Sequence, residues 1–301
     1  MFFPSITESH GEAGKRLLNI KKILLPLDLE QIDLPVAVVH EAAALKRHFQ
    51  SEMLVLHVVK PLTYLADSDT ARQQLEQAVA RQQENLSKWL GPVLDGHPFK
   101  RIVVKGEPAR EILRVARDEK IDLIVMPTHG YGAFEKFMLG SVTAKVLHQS
   151  TCPLWTGAHV QDVPATQFAI RNVLCAVDFG PVSTKAIQWA HEAATEFGAK
   201  LTLAHATPAM EIYGPGGYHV LGEMKKELVN SAKAQLAKIQ QELGINAGVF
   251  VGSGDVAKVM GDAAKETKAD LIVTGSGSAA GRFGDTAYAI IRESPVPVVS
   301  V

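Results

Sequence analysis

The chain of 301 residues lacks most of the features that mark a specialised class. Its two cysteines, Cys152 and Cys175, stand in no paired motif. That excludes a disulfide framework or a thiolate zinc site and suits a reducing cytosol. No apolar run approaches the roughly 18 residues that cross a bilayer, and the opening MFFPSITESHGEAGKR turns polar too soon for a signal peptide. An excess of one charge is missing too. Lys plus Arg total 31 against 32 Asp plus Glu, a net charge of −1, so nothing draws the whole molecule towards nucleic acid or anionic lipid. The patterns GxxxxGKS/T, GxSxG and HExxH are absent, which leaves P-loop, hydrolase-triad and zincin chemistry without support. With 47% hydrophobic and 21% charged residues, the expectation is a soluble, cytoplasmic globular protein, and the length suggests two domains.

What the chain does contain is a repeat. KILLPLD (22–28) matches NVLCAVD (172–178) at an offset of 150, and HEAA (40–43) recurs at 191–194, offset 151. LVLHV (54–58) matches TLAHA (202–206), and DLIV (122–125) recurs at 270–273, both at offset 148. LGSVTAKVLHQSTCP (139–153) matches FGDTAYAIIRESPVP (283–297) at offset 144. Offsets that hold within elements and shift between them are what tandem copies with loop insertions produce. The division read from this is an N-terminal extension over 1–19, a first domain over 20–156, a linker over 157–169 and a second domain over 170–301.

Each copy alternates short apolar runs with helical stretches. The runs are continuously apolar, so the strands are expected to be buried on both faces of a parallel sheet. The fold class is therefore α/β, with two repeated doubly wound parallel-sheet domains. Ligands are expected at the carboxyl ends of the strands. Glu107-Pro108 and Asp255 are placed to open helices, and long polar helices are expected around 69–90 and 223–243 with solvated outer faces.

The loop after the fourth run of copy one, MPTHGYGAFEKFMLGSVTAKVL, carries the clearest chemistry. Nine residues separate Gly130 from Gly140, and Gly140-Ser141 opens a helix. Free amides at a helix start, with glycines that let a ligand approach, make an anion site. A plain turn with an N-cap explains the same dipeptide equally well.

These residues resemble the universal stress protein family, here as two such domains in one chain. The family's loop runs Gly, two residues, Gly, nine residues, Gly, then Ser or Thr. Copy one keeps Gly130, the spacing, Gly140 and Ser141, but has Pro127 in place of the first glycine. The resemblance implies an adenine-nucleotide-binding, flavodoxin- or Rossmann-like sandwich that takes ATP, with Mg or Mn carried on the nucleotide. It implies triphosphate on His129, Gly130 and the amides of Gly140, Ser141 and Val142. It also implies Asp28 near the ribose or metal, the Val58 backbone near adenine, and Pro26 and Met126 lining the pocket. Pro127 removes one amide donor there.

Copy two departs further. In TGSGSAAGRFGDTAYAI, Gly275 stands where Pro127 did, Ser278 replaces Gly130, the spacer shrinks to five residues before Gly284, and Asp285 replaces Ser141. A carboxylate there suits the helix dipole and repels a triphosphate. Asp178 is the clean match, with Gly275, Ser276 and Gly284 as weaker candidates, and the copy reads as more structural than loaded. GSGSAA (275–280) fits a dinucleotide fingerprint in spacing but follows the wrong strand. His40, His191, His57 and His205 read as packed, hydrogen-bonded residues, and YGPGGY (213–218) as either a lid or a connector.

Three functions follow. The first is an ATP-binding stress or signalling module in which hydrolysis or self-phosphorylation, if any, is slow. The second is a non-nucleotide scaffold or protein-interaction module. The third, a nucleotidyl-transfer enzyme, lacks its signature near the first strand. The family's habit of pairing last strands implies that PLWT and PVVSV make an internal dimer, with a homodimer of whole chains as a further option.

Overall fold

In a computed structural model of the chain, the described residues are 18–29, 36–60, 76–82, 84–85, 88, 90–91, 98–128, 139–157, 168–209, 217–276 and 285–301. The apolar runs become strands, because Val, Ile and Leu fill both faces of a sheet that helices cover. The first half contains β1 (Lys22–Pro26), α1 (Val36–Phe49), β2 (Glu52–Val59), β3 (Lys100–Lys105), α2 (Pro108–Asp118), β4 (Leu123–Met126), α3 (Ser141–Gln149) and β5 (Leu154–Thr156). The second contains β6 (Asn172–Ala176), α4 (Ser183–Phe197), β7 (Lys200–Thr207), α5 (Gly217–Leu243), β8 (Gly248–Ser253), α6 (Val256–Thr267), β9 (Leu271–Thr274), α7 (Asp285–Glu293) and β10 (Val298–Ser300). Further helical residues lie within 76–91.

All ten strands form one sheet in the order β3-β2-β1-β4-β5-β10-β9-β6-β7-β8. Pairing is parallel within each half and antiparallel between β5 and β10. Alternate strand residues feed two cores. Ile23, Leu25, Val55 and Val173 pack under α1, α4 and α5, while Leu24, Leu54, Ile124 and Ile272 pack under α2, α3, α6 and α7. Both cores run through both halves. One device recurs: Asp122 accepts the backbone N–H groups of Lys21 and Lys22, both at 2.8 Å, and Asp270 accepts those of Arg171 and Asn172 at 2.8 and 3.0 Å. The acid before the fourth strand thus anchors the start of the first.

The expected pairing of the last strands is present. Val298 faces Thr156, Val299 faces Trp155 and Ser300 faces Leu154. Trp155 and Val299 are repeat equivalents, so the pseudo-two-fold axis passes between them. Trp155 is 1% exposed, and its Nε1–H donates to Glu41 Oε2 of α1 at 2.8 Å. Burial raises the Glu41 carboxyl from 4.5 to about 7, against the opposing pull of that hydrogen bond. The helices also meet across the seam: the Phe49 and Phe197 rings are 5.7 Å apart, and His48 Nε2 lies 3.2 Å from Glu196 Oε1.

The HEAA match does not survive in space. α1 and α4 end at Phe49 and Phe197, and the strands that follow start in matching register, Lys22 beside Glu52 and Asn172 beside Lys200. The helices therefore correspond at offset 148, which places His40 and His191 one turn apart. Any alanine-rich face repeats after three or four residues, so a one-turn slip keeps the apolar pattern.

Candidate functional site

Within each half the strand order reverses direction beside the first strand, between β1 and β4 and between β6 and β9. Such a switch point opens a crevice at the carboxyl ends of the strands. In the second half a cleft of about 550 Å³ lies there, lined by residues that follow β6, by His205 and Ala206 of β7, by Val256 and Met260 of α6, by Thr274 and Gly275, and by the first turn of α7.

Asp178 sits on this cleft, and its carboxylate shapes the loop into α4. Its Oδ1 accepts the Gly180 N–H at 2.8 Å and the Ser183 hydroxyl, whose Oγ accepts the Asp178 N–H at 3.2 Å. Phe179 is held in the left-handed region, φ 59°, with its ring centroid 4.3 Å from that of His205. His205 Nδ1–H donates to the Val177 carbonyl at 2.7 Å, and His57 Nδ1 lies 3.0 Å from the corresponding Leu27 carbonyl. Both histidines thus tie the second strand of their half to the turn after the first.

Gly275 lines the cleft, whereas Ser276 belongs to the seam: its N–H and hydroxyl both donate to the Val301 carbonyl at 3.0 Å. Val182, Pro208, Met260 and Thr286 escaped the sequence reading because apolar and small residues at strand and helix ends carry no motif. Gly284 lies outside the described residues.

In the first half, Pro26 and Met126 end adjacent strands and are buried, Asp28 is exposed two residues beyond β1, and Val58 is half-buried on β2. Pro127 and Thr128 are clamped to α3: Thr143 Oγ1–H donates to the Pro127 carbonyl at 3.0 Å, and the Gly140 N–H donates to the Thr128 carbonyl at 2.8 Å. Ser141, exposed, and Val142, half-buried, form the first turn of α3, with Gly140 as its N-cap and no side-chain cap. α2 and α6 are built differently, with Glu107 Oε2 accepting the Arg110 N–H at 2.8 Å and Asp255 Oδ1 accepting the Lys258 N–H at 3.0 Å. His129 and Gly130 lie outside the described residues, as do residues 213–216 of YGPGGY, while Gly217 and Tyr218 open α5.

Among the described residues no cluster of His, Cys, Asp or Glu could hold a metal ion, and no helix is long and apolar enough to cross a membrane. Both thiols are pushed up by burial, Cys175 strongly.

The universal stress protein family matches twice, over residues 19–156 and 169–301. The chain belongs to the universal stress protein family. Relatives include a universal stress protein of Methanothermobacter thermautotrophicus, 30% identical over 139 residues that are 44% of this chain and 92% of the relative. Another is a universal stress protein of Thermus aquaticus, 33% identical over 139 residues, 44% of this chain and 96% of the relative. Over nearly the whole chain the fold is similar to the crystal structure of a universal stress protein from Archaeoglobus fulgidus, with TM-score 0.63 and 24% identity over 92% of this chain and 95% of that one. The chain is thus a tandem of two universal stress protein units joined edge to edge.

Proposed function

We propose that this chain is an ATP-binding member of the family, a cytoplasmic stress-response module without dedicated catalytic groups, and that it carries the nucleotide in its first half. The observation behind this reading is the bare N-terminus of α3. A glycine cap supplies no acceptor, so the positive end of the helix is left for an external anion. The triphosphate would lie on the amides of Gly140, Ser141 and Val142 and on His129 and Gly130. Asp28 would take the ribose or a nucleotide-bound Mg or Mn, and the Val58 backbone the adenine, with Pro26, Met126 and Pro127 as walls. Residues of these types fit the group, since it needs donors for phosphate and an apolar slot for the base.

The test is acid release and identification of any nucleotide carried by native protein, followed by calorimetric titration with ATP and Mg²⁺. About one site per chain is expected. Gly140→Asp should abolish it while keeping the helix, because aspartate is a good N-cap whose carboxylate takes the amides and repels phosphate. Failure to bind millimolar ATP would overturn the reading.

A further inference from the structure

We infer that the outer edge of β8 is an interaction surface, and that it pairs antiparallel with β8 of a second copy of this chain across a two-fold axis. The nucleotide reading plays no part in this.

The sheet ends in β3 on one side and β8 on the other, and the two edges are built in opposite ways. β3 (KRIVVK) carries Lys100, Arg101 and Lys105, all exposed, and Glu119 holds the Lys100 ammonium at 2.8 Å. Cations on an edge strand deter another strand, because pairing would strip them of water. β8 (GVFVGS) has no charged residue, and neither charge nor proline occurs anywhere in GINAGVFVGSG (244–254). All six residues of β8 pair with β7 on one side, and among the described residues no strand pairs with the other. None of the six is buried, and Val249 is 39% exposed. Such a strand offers a row of backbone donors and acceptors, with apolar side chains and no deterrent.

Charge selects the occupant. β3 of another copy would bring three cations against a strand with no acid to receive them. It would also leave an edge free at each end, so the contact would repeat into a filament. A second β8 brings no charge, and the two-fold axis closes the contact at two chains. Helix α5, which packs on β8, suits the same symmetry. Its exposed residues Glu227, Lys233, Lys238 and Glu242 mix both signs, so a copy turned end over end meets no field of one sign. Antiparallel edge pairing already joins the two halves through β5 and β10, and the same kind of bond at β8 extends the sheet from one chain into the next.

The experiment is sedimentation equilibrium of the full chain at about 1–100 μM, on wild type, Val249→Lys, Val249→Glu, an equimolar mixture of those two, and Arg101→Glu. Val249 is exposed, so either charge is accommodated without entering a core. Circular dichroism confirms that each variant is folded.

Wild type and Arg101→Glu should both be dimers. Each Val249 variant should raise the dissociation constant at least about tenfold, since the two-fold axis brings like charges together. The mixture should regain the dimer, with one chain of each kind by native mass spectrometry, because opposite charges now face each other. A wild type that stays monomeric at about 100 μM, including one that binds only an extended apolar peptide at this edge, would overturn the inference. So would a dimer indifferent to both Val249 variants, or one that mixing does not restore. An open-ended series of oligomers abolished by Arg101→Glu would place β3 against β8 and overturn it equally.

Discussion

Glu41→Gln should make the protein more stable at neutral and alkaline pH, by an amount that the position of the carboxyl sets. In the unfolded chain Glu41 ionises near 4.5, and in the folded chain near 7, because burial beside Trp155 disfavours the charged form. Below pH 4.5 both states hold the proton and the residue has no effect. Between 4.5 and 7 the unfolded chain releases a proton that the folded chain keeps, so stability falls as pH rises. Above 7 the loss is complete. At 1.36 kcal/mol per unit the total is about 3 kcal/mol. Glutamine keeps an oxygen for the Trp155 N–H and does not titrate. The difference between variant and wild type should therefore grow by about 3 kcal/mol from pH 4.5 to pH 8. With roughly 2 cal/mol/K of unfolding entropy per residue, that corresponds to about 5 °C in Tm if the chain unfolds as one unit. Urea unfolding across this pH range measures it directly. A difference that does not change with pH, or a variant less stable at pH 8, would refute the reasoning.

Three further outcomes are expected. Gly157→Ala would bring a Cβ to 2.5 Å from Val38 Cγ2, beside Glu41, so the buried Val38 side chain must give way and stability should drop by about 1–3 kcal/mol in chemical denaturation. Asp122→Ala and Asp270→Ala each remove an acceptor shared by two amides and should each lower stability by about 1–3 kcal/mol, with nearly additive losses because the sites are in different halves. With a thiol reagent at pH 8, Cys152 should react ahead of Cys175, whose fully buried thiol stays protonated; mass spectrometry of timed samples resolves the two.

The fold was legible because buried parallel strands announce themselves as unbroken apolar runs, and because Glu107 and Asp255 mark helix starts by short-range chemistry. The Trp155–Glu41 bond joins residues 114 apart, and no local pattern encodes it. The HEAA match misled because a helix face tolerates a one-turn slip, which the adjoining strands do not. The proposed first-half site rests on spacing alone, from Gly130 to Gly140-Ser141. The second-half cleft was not legible in the sequence, because its walls come from strand ends, the loop into α4 and helix starts, whose small and apolar residues form no motif.

The antiparallel pair at the seam sets what fusion of the two units makes available. In a dimer of identical chains, a two-fold axis obliges the residue upon it to face its own copy, so a tryptophan there would have to accommodate another tryptophan. Here Trp155 faces Val299, and near the same axis His48 faces Glu196. Big against small and base against acid are pairings that symmetry forbids to a residue meeting itself. Joining the units in one chain lifts that prohibition, so each half can specialise at the join as well as at the cleft.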